Sequence, residues 1–208
     1  MFKIIFFFFL IFINSSFSSE YSYENDFKIK FADDYLKNIP TLNQDGSYNV
    51  IIEIPSGTNH KWEISEDKKS LDLEFKDSYP RIINYLGYPA NYGFIINTEL
   101  KSSDGGDGDA IDVLVLNENP IEKGEKVKVR VIGMLKLIDK DEIDNKIISV
   151  KTGSIFEKIN SLKALEEEFE GILEIFSIWF KNYKGEKIEI LGFEDKKSAK
   201  EFIIKFKK

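Results

Sequence analysis

Between Val127 and Leu137 an apolar side chain recurs at nearly every second position. Only an extended chain turns alternate residues to one face, so this run commits the segment to a strand that buries one side. Shorter stretches repeat the pattern: Val50, Ile52 and Ile54, with Glu53 expected on the opposite face; 61–64; Leu71, Leu73 and Phe75; 113–116; 147–150; and 187–191. Pro55-Ser56-Gly57 interrupts the first of these. Many short strands with no long linker and no internal repeat predict one β-rich domain.

Helical spacing comes late. Leu162, Leu165, Phe169, Ile172, Leu173, Phe176, Phe180 and Tyr183 fall at intervals of three and four, which predicts one long amphipathic helix between a cap at Ser161 and a stop at Gly185. Ala199, Phe202, Ile203 and Phe206 predict a shorter second helix that starts at Asp195. The expected fold class is α+β, mainly β: a small OB-like β-barrel packed by two C-terminal α-helices.

Lys3, an apolar run over 4–13 and then Asn14, Ser15, Ser16, Ser18 and Ser19 have the charged, apolar, small-residue order of a secretory signal peptide. The run is shorter than the about 20 residues a membrane helix needs. Residues 1–18 are therefore expected to be a leader cut before Ser19, with export to a periplasm or the medium and no stable membrane association afterwards. Residues 19–46 are polar, with turn signals at Pro40 and Asp45-Gly46, and read as an N-terminal arm; 47–208 form the domain.

Composition narrows the chemistry. Acidic residues outnumber basic ones, 36 to 29, for a net charge of −7, which argues against a surface that grips nucleic acid generally. There is no cysteine and one histidine, so thiol nucleophiles and sites of paired imidazoles are excluded, and carboxylates must carry any metal chemistry. They are concentrated in Asp104-Gly105-Gly106-Asp107-Gly108-Asp109-Ala110-Ile111-Asp112. Such a run needs either full solvation or bound cations to offset its repulsion. Asp107, Asp109 and Asp112 converge only if the backbone bends, which the glycines permit. A calcium-binding EF-hand fails on spacing: counted from Asp107 its fifth position is Ile111, where an oxygen ligand is required, and a strand follows instead of a helix.

Asp107-Gly108-Asp109-Ala110-Ile111-Asp112-Val113 resembles the Asp-x-Asp-Pro-x-Asp-Val element of the soluble family I inorganic pyrophosphatases, departing at Ala110 where proline is usual. It is joined, in the family's order, by Ile52-Glu53-Ile54-Pro55, Lys61-Trp62-Glu63, Tyr88-Pro89-Ala90-Asn91-Tyr92-Gly93, the run from Gly133 through Asp139 and Asp144 to Lys146, and Tyr183-Lys184. The resemblance covers the chain from about residue 48 onward.

That resemblance implies magnesium held by Asp107, Asp112, Asp139 and Asp144, with Glu53 at further metal positions. It implies Lys61, Tyr92, Lys146, Tyr183 and Lys184 on phosphate oxygens, Asp109 as general base, and Glu63 and Tyr88 as further active-site residues. The family also has an arginine on the substrate between the Lys-x-Glu strand and the Tyr-Pro element; Arg81 is the only arginine in that interval and takes the role if a few residues are inserted before Tyr88. The implied activity is hydrolysis of inorganic diphosphate to two orthophosphates by direct attack of water, and the implied assembly a homo-oligomer. Two other classes compete: an oligonucleotide-binding barrel, which the acidic balance disfavours, and an exported metal-binding barrel without catalysis.

Overall fold

The computed structural model describes residues 20–185 and 187–208, so the expected leader lies outside the described residues. Strands β1 (Tyr21–Asn25) and β2 (Lys28–Phe31) form a hairpin in the segment expected as an arm. Ile29 and Phe31 alternate with Lys28 and Lys30 and are buried in the core, a period-two signal too short to stand out in a polar stretch. β3 (Tyr48–Ile54) follows. Then β4 (Trp62–Ile64) and β5 (Ser70–Leu73) extend the hairpin into a sheet of order β1-β2-β5-β4. A two-stranded hairpin comes next, β6 (Phe75–Lys76) with β7 (Tyr79–Pro80), turning on Asp77 and Ser78 at positive φ.

The barrel is built from β3 and four later strands. β8 (Asn91–Ile95) pairs with β3 and with β9 (Asp112–Leu116). β10 (Lys126–Asp139) turns at Lys140 and Asp141, both at positive φ, into β11 (Glu142–Ile143), and β12 (Lys146–Lys151) lies parallel to β9. β10 is long enough to pair β3 through its first residues and β12 through its middle, so the order β3-β8-β9-β12-β10 closes on β3. Closure removes the exposed edges that an open sheet of this apolar composition would present.

Among the described residues three α-helices, not two, pack the barrel. The long helix expected between Ser161 and Gly185 is divided into α1 (Leu162–Glu168) and α2 (Ile172–Asn182). Ser161 caps α1 as expected, accepting from Ala164 N. The break lies at Gly171, whose φ of +83° is left-handed, and the Glu166 carboxylate accepts from Gly171 N at 2.7 Å to cap the second helix. The apolar spacing runs through the break, since Phe169, Ile172 and Leu173 keep facing the core, so periodicity alone could not reveal it. β13 (Ile188–Asp195) pairs the far half of β10, and Asp195 caps α3 (Lys196–Lys205) by accepting from Ser198 N.

The sheet faces feed two apolar clusters. Val50, Ile52, Val113, Val115 and Ile147 pack with Ala199 and Ile203 of α3. Ile51, Ile54, Leu114, Ile148 and Val150 pack with Leu165 of α1 and Phe176 and Phe180 of α2. Ile54 thus leaves the cluster of Val50 and Ile52, against the simple alternation. The register slips between Ile52 and Ile54, a bulge at Glu53 that re-aims the carboxylate.

Candidate active site

The acidic loop is pinned from both sides before it enters β9. Gly108 N donates to Leu100 O at 2.8 Å, Leu100 N to Asp109 O at 2.7 Å, and Ile111 N to Thr98 Oγ1 at 3.0 Å. The expected bend is present: Gly105 and Gly108 have φ of +89° and +93°, and Asp109 N donates back to Asp107 Oδ1. Asp107, Asp109 and Asp112 consequently line one cleft of about 330 Å³.

Other elements supply the opposite charge to the same cleft. Lys61 precedes β4, Arg81 follows the β6–β7 hairpin, Lys146 opens β12, and Lys184 follows α2; all four line it, with Tyr92 from β8 and Tyr183. Arg81 lines the cleft directly after the two-stranded hairpin at 75–80, whereas Phe75 within that hairpin is exposed. Glu53, Glu63 and Asp144 complete the expected set that reaches it.

Two expected residues, Tyr88 and Asp139, do not line the cleft themselves. Tyr88 is buried, its ring 5.0 Å from that of Tyr92 and 4.5 Å from that of Trp179. Asp139 bonds Lys184 through Oδ2, while its Oδ1 is buried with no hydrogen-bond partner among the described residues.

The carboxylates are held by lysines. Lys146, almost wholly buried, donates to both Asp112 and Asp144, and Lys61 pairs Glu63 at 2.8 Å. Lys146 stands between Asp112 and Asp144, and Lys184 against Asp139, and among the described residues no three His, Cys, Asp or Glu side chains are grouped closely enough to hold a metal ion.

Burial sets the proton affinities. It pushes Glu53 up to about 8 despite Lys61 nearby. Burial and then the charge of Asp107 raise Asp109. Burial would also raise Asp112, but Lys146 and the Tyr92 hydroxyl overcome it and hold that carboxyl below its ordinary value. Burial disfavours the Lys146 ammonium, yet Asp112 and Asp144 more than offset this, and the lysine stays charged.

Glu66 and Trp179 belong to the site without being among the expected residues. Glu66 lines the cleft from the turn after β4, three residues beyond Glu63. Trp179 stacks on Tyr183 with ring centroids 4.6 Å apart and donates to Leu86 O at 2.9 Å. Its place four residues before Tyr183 on the buried helical stripe was the available clue.

Comparison with known proteins agrees with this geometry. A family model described as inorganic pyrophosphatase matches residues 50–208. The inorganic pyrophosphatase of Campylobacter jejuni is 33% identical over 162 residues, 76% of this chain and 88% of its own length. That of Rickettsia prowazekii is 32% identical over 174 residues, 81% of this chain and 95% of its own. Among solved structures, an inorganic pyrophosphatase from Coxiella burnetii matches with a TM-score of 0.69 at 29% identity, covering 81% of this chain and 97% of that one. One from Schistosoma japonicum matches with a TM-score of 0.80 at 28% identity, covering 86% and 73%. With the closed barrel, the cleft and these matches in agreement, the chain belongs to the soluble family I inorganic pyrophosphatases, hydrolases of inorganic diphosphate.

Proposed function

We propose that the chain splits inorganic diphosphate into two orthophosphates with magnesium as cofactor, by direct attack of water on one phosphorus. The observation that carries this reading is the meeting, in one cleft, of Asp107, Asp109 and Asp112 with Lys61, Arg81, Lys146 and Lys184. Carboxylates facing cations across a small space suit a highly charged anion that arrives with hard metal ions.

Asp107, Asp112, Asp139 and Asp144, with Glu53 at a further position, are the residues that would hold the metal. They fit it on two counts. The donors are all hard oxygens, and Asp139 Oδ1 is a buried carboxylate oxygen that lacks a donor among the described residues. Bound magnesium would neutralise phosphate charge and lower the pKa of a water toward neutrality.

The chain's own residues do the rest. Asp109 takes the proton from the attacking water. Lys61, Arg81, Lys146 and Lys184 meet phosphate oxygens and stabilise the charge that gathers on the departing phosphate, while the Tyr92 and Tyr183 hydroxyls donate to the same group. Glu63 steadies Lys61 through their ion pair, and Tyr88 supports the Tyr92 and Tyr183 rings. No covalent intermediate on the protein is needed. We place this activity outside the cytoplasm, after removal of 1–18, in a homo-oligomer.

Phosphate release from diphosphate, measured with magnesium, with calcium and in excess chelator, tests the reading. Turnover is expected with magnesium only, since calcium takes more ligands at longer distances and holds water less strictly in line. Undiminished turnover in chelator overturns the metal requirement; magnesium binding without phosphate release would favour the non-catalytic barrel.

A further inference from the structure

Lys61, Glu74 and Arg81 are tied together by three backbone hydrogen bonds. Lys61 N donates to Arg81 O at 3.0 Å, Glu74 N to Lys61 O at 2.9 Å, and Arg81 N to Glu74 O at 2.7 Å. Two of the cleft's cations thus share one rigid corner with a carboxylate that does not line the cleft. Glu74 faces the adjoining groove, beside Glu63 and Asp72.

The side chains repeat the link. Arg81 Nη1 donates to Glu74 Oε1 at 2.7 Å and to Oε2 at 2.6 Å. Both bonds fall on one nitrogen. The Nε and Nη2 groups of Arg81 have no partner among the described residues, and together they form the edge of a guanidinium that grips phosphate with two parallel bonds. Each side chain is about a third exposed, so the pair is screened and contributes little as a surface salt bridge. Its geometry does more than its energy: a long, rotamer-rich side chain is fixed at its inner nitrogen before any ligand arrives, which lowers the ordering cost of binding.

We propose that Glu74 is a positioning residue for diphosphate hydrolysis, anchoring Nη1 of Arg81 so that the Nε–Nη2 edge is presented to a phosphate group. This rests on Arg81 being a phosphate contact.

The experiment is steady-state kinetics of the full chain with magnesium diphosphate for Glu74→Gln, Glu74→Asp, Arg81→Met and the Glu74→Gln/Arg81→Met pair, with a thermal melt of each. Glu74→Gln is expected to raise KM about fivefold to tenfold with kcat within about twofold, as for loss of an interaction that serves ground and transition states alike. Glu74→Asp should recover part of that. In the Arg81→Met background Glu74→Gln should add less than about twofold, because residues that act through one another are not additive. If Arg81→Met leaves the kinetics unchanged, the phosphate role of Arg81 fails and takes the proposal with it. If Arg81→Met is costly but Glu74→Gln is silent, or multiplies in full on top of it, or lowers only the melting temperature, then Glu74 does not act through Arg81 and the proposal alone is overturned.

Discussion

The backbone N–H of Asp109 donates to Oδ1 of Asp107 at 2.8 Å. This closes a tight turn across Gly108 and gives the two carboxylates different work. One oxygen of Asp107 is engaged in holding the loop, whereas the Asp109 carboxylate projects into the cleft with no hydrogen bond of its own among the described residues. A group meant to accept a proton has to be free in this way.

Asp109→Asn is therefore expected to lower turnover by about 10² to 10⁴, the usual share of general-base catalysis, with little change in magnesium binding. Asp107→Asn and Asp112→Asn should weaken magnesium binding first and regain activity at high magnesium. A magnesium titration of all three, followed by calorimetry and by phosphate release, makes the distinction. Rescue of Asp109→Asn to the same extent as the others would make Asp109 a ligand.

Gly93 lies opposite Ile52 where β8 pairs with β3. A Cβ there would come within 1.9 Å of Ile51 O and 2.9 Å of Ile52 Cα, both backbone atoms that cannot rotate away. Gly93→Ala should cost more than about 4 kcal/mol or abolish soluble expression, since the barrel's closure has to open to admit it. Gly46→Ala is the control. Its Cβ would meet nothing within 4 Å, and only its φ of +81° opposes the change, so about 1 kcal/mol is expected in urea unfolding.

Much of the site was legible because its residues are chemically distinctive and their order is fixed, and the cleft gathers twelve of the expected side chains. The fold was legible where one face is apolar, as in β10. It was not where packing overrides pattern. β8 reads as Asn91-Tyr92-Gly93-Phe94-Ile95, a polar residue and a glycine inside a strand, yet all five are buried: Asn91 accepts from Ser56 N and Ile121 N, and Gly93 leaves room for the Ile51 carbonyl of the paired strand. Glu53 looked like the outward residue of an alternating strand, but the bulge leaves it buried and bonded to Ile64 N. The break between α1 and α2 depends on a cap from Glu166 to Gly171, five residues apart in sequence and on no hydrophobic period.

Export predicts a mature N-terminus at or next to Ser19. Mass spectrometry of the protein from its own cells should show loss of about the first 18 residues, as the charged, apolar and small-residue order requires. An intact Met1 in a cytoplasmic fraction would remove the prediction. The residues that line the cleft all come later, from Glu53 to Lys184, so activity of the cleaved chain should match that of the full one.

Lys146 donates to Asp112 and Asp144 at once, and its side chain is only 2% exposed while theirs are 25% and 16% exposed. Replacing it with methionine keeps the volume and leaves two carboxylates side by side without the ammonium between them, only the more distant Lys61 and Lys184 remaining. Breaking a buried ion pair from one side costs roughly 3 to 5 kcal/mol, and the partial exposure of the aspartates sets the expectation at the lower end, about 3 kcal/mol in chelator. Magnesium changes the comparison. A cation that binds the native state and not the unfolded chain stabilises the former, and in Lys146→Met it meets no ammonium between the two carboxylates. The variant should therefore recover most of its lost stability at saturating magnesium, and the wild-type chain, where the ion has to compete with Lys146, should gain less. Activity should stay low in either case, since the phosphate contact proposed for Lys146 is gone. Urea unfolding of both chains, in chelator and in magnesium, gives four midpoints that decide it. Equal gains from magnesium would mean that Lys146 and the metal do not contend for the same carboxylates, and the assignment of Asp112 and Asp144 as ligands would have to be given up.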